Sequence, residues 1–431
     1  MSVILGAMDQ RPANIPPPKL IASLRRFDLL PAIVFLPTRR GCDEAASEVA
    51  FDKSQQTDPE RQARRQTMYD EFSAAYPEIR THKHRKILVN SGVAAHHAGH
   101  IPAWKLLVEK MMSGGLLNAI FATSTVAAGV DFPARTVVIS NADARGNDGW
   151  RPITASELQQ MTGRAGRRGR DKVGFVVVAP GQYQNPKKIA ELLGAKPDPL
   201  ESQFRATYTS LLNLLDAFGN FEQVRGIAAK SFAFRKAESG PNLAETIWRP
   251  FDQRARVLDH YGYIDYAAEK VTESGKWLAD LRVDRPLLLG EALRRGIFDE
   301  LKPSDAAGLI ASVAADPDRD FGAGRGSGSL GYVLSNFEDV VYDVAKIEWK
   351  NGVDTVEEIN YSAASAAERW AKETSWEDLV SRTKAEEGDL VRLLSRTGEA
   401  LRQVAGLAST NPKAANAART AADIVLREPV R

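Results

Sequence analysis

The chain has 431 residues, 43% hydrophobic and 26% charged, with 32 glycines and 22 prolines, which excludes a disordered, collagenous or coiled-coil chain and allows about three domains with separate cores. Fifty-seven Lys and Arg against 55 Asp and Glu leave a formal net charge of +2, excluding a globally polybasic binder while leaving room for a local basic site. A single cysteine, Cys42, excludes an internal disulfide framework and any CxxC metal site, and no apolar run approaches the roughly 20 residues of a membrane span, so a soluble protein of a reducing, cytoplasmic compartment is expected.

In chain order, residues 1–25, with Pro12, Pro16, Pro17 and Pro18, read as an extended linker leading into a short helix. Over 26–185, short apolar runs at Ala32–Leu36, Val93–His97, Leu116–Ala122, Thr136–Ser140 and Val173–Ala179 predict strands. They alternate with amphipathic stretches at Cys42–Ala50, Pro59–Ala75, Pro102–Met112 and Ala155–Met161. That alternation predicts an α/β domain with a parallel sheet and helices on both faces. Beyond Pro186 the strand signal fades. Phe204, Tyr208, Leu211, Leu212 and Leu215 recur at helical period, so 186–247 reads as a helical connector. In 248–290 a helix, the turn Tyr261-Gly262-Tyr263-Ile264 and a second helix after Thr272 fit a small winged-helix unit. Residues 291–431, with helical runs at Pro303–Ala315, Tyr332–Trp349, Ala363–Trp370 and Glu387–Leu407, read as a terminal helical bundle.

The densest chemistry lies in Gln160-Met161-Thr162-Gly163-Arg164-Ala165-Gly166-Arg167-Arg168-Gly169-Arg170-Asp171. Three glycines let this backbone turn tightly while planar, permanently charged guanidiniums converge, an arrangement suited to phosphate oxygens. By itself it reads equally as a solvated basic loop or a nucleic-acid patch. Upstream, Phe121-Ala122-Thr123-Ser124-Thr125-Val126-Ala127-Ala128-Gly129-Val130-Asp131 leaves the end of a predicted strand, where ligands bind in open α/β sheets. Before it stand Phe35-Leu36-Pro37-Thr38-Arg39-Arg40 and His96-His97-Ala98-Gly99-His100-Ile101-Pro102. In this order the four blocks resemble motifs IV, IVa, V and VI of superfamily 2 helicases, and the last three are similar to those of superkiller-type DExH-box RNA helicases. Ser202–Tyr208 resembles the connector after that motor. Ser375-Trp376-Glu377-Asp378-Leu379 and Glu387–Thr397 are similar to the family's terminal DSHCT region. Asp131 stands where the family often has Asn.

The resemblance implies a second RecA-like domain, a winged helix and a DSHCT-like bundle. It also implies ATP-driven 3′ to 5′ movement on RNA, unwinding duplexes for processing or decay. Arg164 and Arg167 are then the arginine fingers, and Gln160 contacts the nucleotide or couples the motifs. Gly129, Asp131 and Gly163 line the nucleotide, Thr123 and Thr125 face the nucleic-acid backbone or link it to the ATP site, and Arg39 faces the nucleic acid. Arg392 and Arg396, opposite the apolar face of Leu390, Leu393, Leu394, Leu401 and Val404, become candidates for RNA contact as well as for a solvated helix surface. Trp349, Trp370 and Trp376 are open as stacking platforms. The partners implied are single-stranded RNA or an RNA duplex with a 3′ overhang, and no membrane. ATP with Mg²⁺ requires a P-loop RecA-like domain in cis or trans, since the first RecA-like domain is expected outside this chain. A catalytically inactive RNA-binding remnant and a related DNA helicase are the alternatives.

No G-x-x-x-x-G-K-[ST] occurs; the nearest stretch, Ser274-Gly275-Lys276-Trp277, lacks the hydroxyl and the upstream glycine. Asp43-Glu44-Ala45-Ala46 mimics an acidic motor box, but it follows motif IV at a helix start, where acids are expected to favour the helix N-terminus. Phe321–Gly328 reads as a flexible inter-helix loop. His96 and His97 should point to opposite faces, so no metal is expected with His100. Cys42 reads as a small buried residue.

Overall fold

The computed structural model describes all residues except 1–13, 54–57, 125–132, 147–148, 201–204, 231–242, 317–318, 323, 325 and 356–357. The chain forms two compact units, Met1–Pro199 and Leu200–Arg431.

The first unit runs α1 (Pro17–Arg26), β1 (Ala32–Phe35), α2 (Arg39–Phe51), α3 (Pro59–Ala75), α4 (Arg85–Ser91), β2 (Val93–His96), α5 (Pro102–Ser113) and β3 (Ala119–Ala122). It continues with β4 (Thr136–Ile139), β5 (Asp143–Gly146), β6 (Gly149–Pro152), α6 (Ala155–Thr162), β7 (Phe175–Val178) and α7 (Pro186–Gly194). Five strands form one parallel sheet in the order β2-β3-β1-β4-β7, with Ala32 opposite both Ala119 and Thr136. Every residue of β1, β2, β3 and β4 is buried, as expected for strands covered on both faces, which read as unbroken apolar runs rather than alternating ones. Leu20, Ile21 and Leu24 of α1 and Cys42, Ala45, Ala46 and Val49 of α2 pack on Val34, Ala95, Phe121 and Val138 of the sheet.

Two of the expected strands start later than their apolar runs. Leu116 and Leu117 are buried but precede β3, and their carbonyls accept from the guanidiniums of Arg65 (3.1 Å) and Arg61 (3.4 Å) of α3 instead of from a neighbouring strand. Arg65 is itself buried and also donates to the carbonyls of Val89 and Asn90, tying α3 to the end of α4. At the other edge, Val173 and Gly174 belong to the loop before β7. The helix α4 and the antiparallel ribbon β5–β6 were not expected from the apolar pattern.

The second unit contains α8 (Tyr208–Phe218), α9 (Phe221–Ala229), α10 (Leu243–His260), the two-residue ribbon β8–β9 (Ile264–Asp265, Lys270–Val271) and α11 (Glu273–Asp280). Then follow α12 (Pro286–Arg294), α13 (Pro303–Ala314), α14 (Gly328–Lys350), α15 (Tyr361–Ala371), α16 (Trp376–Thr383), α17 (Glu387–Gly406) and α18 (Pro412–Val425). Residues Ser304 to Ala314 of α13 are all buried, the mark of a central helix surrounded by others. Its small residues permit close approach: a Cβ at Gly308 would lie 2.8 Å from the Leu330 side chain of α14 and 3.1 Å from the Ala364 carbonyl of α15. Gly275, in the stretch rejected as a P-loop, lets α11 pack on the turn before β8, where a Cβ would lie 2.1 Å from the Tyr263 carbonyl. Among the described residues no helix is long and apolar enough to cross a membrane.

Candidate functional site

The sheet sorts the predicted site residues onto two opposite edges. At its carboxyl edge, β1 leads through Thr38 into Arg39, the first residue of α2, with the Thr38 hydroxyl accepting from the Gly41 N–H at 3.1 Å. Beside it β3 ends in Thr123, and β2 runs into His97 to His100. Arg39 and Thr123 are half-buried. The arginine-rich loop lies at the other edge. It leaves α6 and enters β7 at its amino end, and its backbone pairs with the residue just before β4: Ala134 N–H donates to Arg164 O at 3.0 Å and Gly166 N–H to Ala134 O at 2.7 Å. Strands of four residues, about 13 Å long at 3.3 Å per residue, separate the two groups. Thr125, Gly129 and Asp131 lie outside the described residues.

The loop is built for fixed turns. Thr154 and Glu157 form a reciprocal capping box at the start of α6, and Arg151 of β6 braces it through two contacts to Glu157 at 2.5 and 2.8 Å. After α6, Gly163, Arg164 and Ala165 donate to Gln159, Met161 and Thr162. Gly166 (φ 92°) and Gly169 (φ 76°) then adopt left-handed conformations that favour glycine. A Cβ on Gly174 would lie 2.5 Å from the carbonyl of Ala165, so only glycine allows the chain to close on the arginine segment. Gln160 and Gly163 are exposed, while Arg164 and Arg167 are half-buried. Arg167 is chelated within the loop: its Nε and Nη2 donate to Asp171 at 2.7 and 2.9 Å, and its backbone N–H donates at 3.0 Å. The hydrogen bond from Arg167 holds the Asp171 carboxyl down at about 2.

At the carboxyl edge His96 and His97 do face opposite ways: His96 Nε2 lies 2.8 Å from Glu109 of α5, and His97 Nε2 lies 3.0 Å from Asp43 of α2. Asp43 is beyond the first turn of α2 and does not act on its N-terminus, correcting the sequence expectation. Its Oδ1 faces the Nε2 atoms of His84 (3.2 Å) and His100 (3.4 Å) as well, and Lys83 Nζ is 3.1 Å from Oδ2. Burial alone would raise the Asp43 carboxyl, yet the imidazoles of His100, His84 and His97 hold it far below the usual range. Burial pushes His100 down to about 3 and the Cys42 thiol upward, so Cys42 is a core residue.

Sequence reasoning missed the β5–β6 ribbon, which follows β4 at the carboxyl edge and exposes Trp150 (59%), Arg145 and Arg151. The run Gly146-Asn147-Asp148-Gly149 is a hairpin signal that was available. In the second unit Arg392 is exposed, whereas Arg396 is half-buried and paired with Asp284 and, at 3.9 Å, with Asp316. A cavity of about 160 Å³ lies beside it, lined by Arg282, Asp284, Arg285, Glu399 and Gln403. Trp370 and Trp376 are buried, Trp370 donating to the Val425 carbonyl at 2.8 Å. Of the three candidate tryptophans, Trp349 (77% exposed) presents a face. Ser327, at the end of the glycine-rich segment, caps α14 and donates to Glu368, a structural inter-helix turn.

Residues 268–431 match the DSHCT (NUC185) domain family. The chloroplastic DExH-box ATP-dependent RNA helicase DExH15 of Arabidopsis thaliana is 38% identical over 253 residues, 59% of this chain and 20% of the plant protein. Superkiller complex protein 2 of Homo sapiens is 37% identical over 199 residues, 46% of this chain and 16% of the human one. Over the matched residues the chain is similar to the Ski2-like DExH helicases. The probable helicase HelY of Mycobacterium tuberculosis is 36% identical to this Ski2-like chain over 226 residues, 51% of the chain and 25% of HelY. The chain spans a quarter or less of the length of each of these relatives.

Proposed function

We propose that this Ski2-like chain is the second RecA-like motor domain and C-terminal body of an ATP-dependent RNA helicase that moves 3′ to 5′ and opens duplexes for RNA processing or decay. In this reading 1–25 is a linker, 26–185 the RecA-like domain, 186–247 a connector, 248–290 a winged helix and 291–431 the DSHCT-like bundle. The winged helix draws support from the ribbon Ile264–Asp265 and Lys270–Val271 between α10 and α11. The observation that carries the proposal is the arginine loop anchored to Ala134 at the amino edge of a five-stranded parallel sheet, with nucleic-acid candidates at the other edge.

The loop's glycine turns and guanidiniums fit a polyphosphate, and the chain contains no P-loop motif. The phosphate cradle and Mg²⁺ ligands therefore come from a P-loop RecA-like domain, in cis or in trans. Arg164, on a backbone pinned from both sides, serves as the main finger toward the γ-phosphate. Arg167 joins it by exchanging Asp171 for phosphate, a swap between two anions of similar geometry. Gln160, Gly163, Gly129 and Asp131 border the nucleotide. Arg39, Thr123, Thr125 and the exposed ribbon grip the RNA backbone. In the second unit, Arg392, Arg396 and Trp349 contact RNA in their own right, the tryptophan adding about 1–3 kcal/mol per stacked base.

The test is RNA-stimulated ATP hydrolysis by the purified chain, with and without a P-loop RecA-like domain from a Ski2-like helicase, on RNA or DNA carrying a 3′ overhang. Turnover only with the added domain and RNA supports the proposal; robust turnover by the chain alone refutes the incomplete-site reading. The second reading, an inactive RNA-binding remnant, is favoured by the engagement of Arg167 with Asp171. It predicts RNA binding with no rescue by any P-loop partner. Equal stimulation by DNA would point to the related DNA helicase.

A further inference from the structure

We propose that Asp43, His84 and His100 form a site for a divalent transition metal of the zinc type, with His97 as the hydrogen-bond donor that orients the carboxylate. The residues come from three separate segments: α2, the turn before α4, and the loop after β2. His84 and His100 are 7% and 2% exposed, and their Nε2 atoms are buried without a hydrogen bond although each faces Asp43 Oδ1, at 3.2 and 3.4 Å. Donor atoms sharing one tetrahedral zinc at about 2.0–2.1 Å each lie about 3.3 Å apart, and two imidazoles on that ion have ring centroids about 5.2 Å apart. The His84 and His100 centroids are 5.4 Å apart with the rings edge to face at 89°.

His97 has a different part. The donor atoms of Asp43, His97 and His100 lie within 4.8 Å of one another, but the His97 ring stacks on His100 at 4.0 Å, too close for both to share a tetrahedral ion. Its tautomer is also spoken for. The Gly99 N–H donates to His97 Nδ1 at 3.1 Å, so Nε2 carries the proton and donates it to Asp43 Oδ1 at 3.0 Å. Carboxylates and imidazoles that ligate metals are themselves held by such outer hydrogen bonds.

Two neutral imidazoles with one carboxylate favour zinc, cobalt, nickel or copper over magnesium and calcium, which take all-oxygen sets. The Asp43 side chain, 18% exposed, opens the site to solvent for entry and for a water as a further ligand. Lys83 approaches the other carboxylate oxygen from a 66% exposed side chain, so its flexible stem can withdraw. A bound ion would clip α2 to the β2 loop beside Arg39 and Thr123.

The test uses the full chain, stripped with a chelator and titrated with Zn²⁺ and with Co²⁺. The expected result is one equivalent of zinc retained through gel filtration, measured by elemental mass spectrometry, and intense visible absorption of tetrahedral Co²⁺. His100→Ala and His84→Ala should lose stoichiometric binding, and His97→Ala should weaken it about 10–100-fold. His96→Ala, on the opposite face against Glu109, should retain the full equivalent. Substoichiometric zinc in the wild type, the weak spectrum of octahedral Co²⁺, or unchanged affinity in the His84 and His100 variants overturns the site. Where an alanine variant fails to fold, Asp43→Asn keeps the side-chain shape, and the wild-type Co²⁺ spectrum decides without any variant.

Discussion

The two edges of the five-stranded sheet hold charge in opposite ways. At the amino edge, Arg167 and Asp171 pair across four residues of one loop, and the loop's own glycines set the geometry. At the carboxyl edge, Asp43 meets His84 and His97 across 41 and 54 positions of sequence, and three largely buried imidazoles crowd one carboxylate that keeps a small opening to solvent. A locally closed ion pair can open for a ligand without disturbing the core. A long-range cluster instead ties α2 to the β2 loop, and a ligand there must fit between elements that are already packed.

The largest expected effect breaks the amino edge alone. Arg164→Ala should reduce ATP hydrolysis, measured with a P-loop domain supplied, by about 10³–10⁵-fold. RNA affinity in a fluorescence titration should stay near wild type; a large affinity loss would assign Arg164 to the RNA contact instead. Next comes Gly174→Ala, which forces a methyl group against the Ala165 backbone. It should cost about 1–3 kcal/mol in denaturant unfolding of the first unit, and an unchanged midpoint would show that the closure is loose.

Asp171 sharpens the comparison by pH. Its folded pKa, about 2, is below the roughly 3.9 of an unfolded aspartate. Its stabilisation is therefore fully present above about pH 4 and is lost as pH falls through about 2. Asp171→Asn should flatten the acid limb of wild-type stability in that window, and an unchanged limb would mean that the chelation contributes nothing. The smallest effect belongs to Arg151→Gln. This pair is half exposed, and its loss should cost about 0.2–1 kcal/mol by thermal unfolding; a larger loss would show that the ribbon is an integral support of α6.

Much of the fold was legible. The five apolar runs all contributed strands to the sheet, and the four fully buried ones advertise themselves by composition alone, while β7 stays half-exposed. Pro59, Pro102 and Pro303 marked helix starts, since proline at the first turn needs no N–H partner. What failed did so for tertiary reasons. Leu116 and Leu117 read as strand until arginines of α3 took their carbonyls, and Trp370 and Trp376 read as stacking platforms until the bundle buried them.

By itself the sequence determined the parallel sheet, the helical second unit, the glycine-hinged arginine loop and the resemblance to Ski2-like helicases, because apolar period, turn residues and short motifs are local properties. The tertiary structure alone decided which edge of the sheet each motif occupies, that Arg167 is held by Asp171, and that Asp43 belongs with His84, His97 and His100. Those facts depend on strand order and on which groups are shut away from water together, and neither is written in the spacing of residues along the chain.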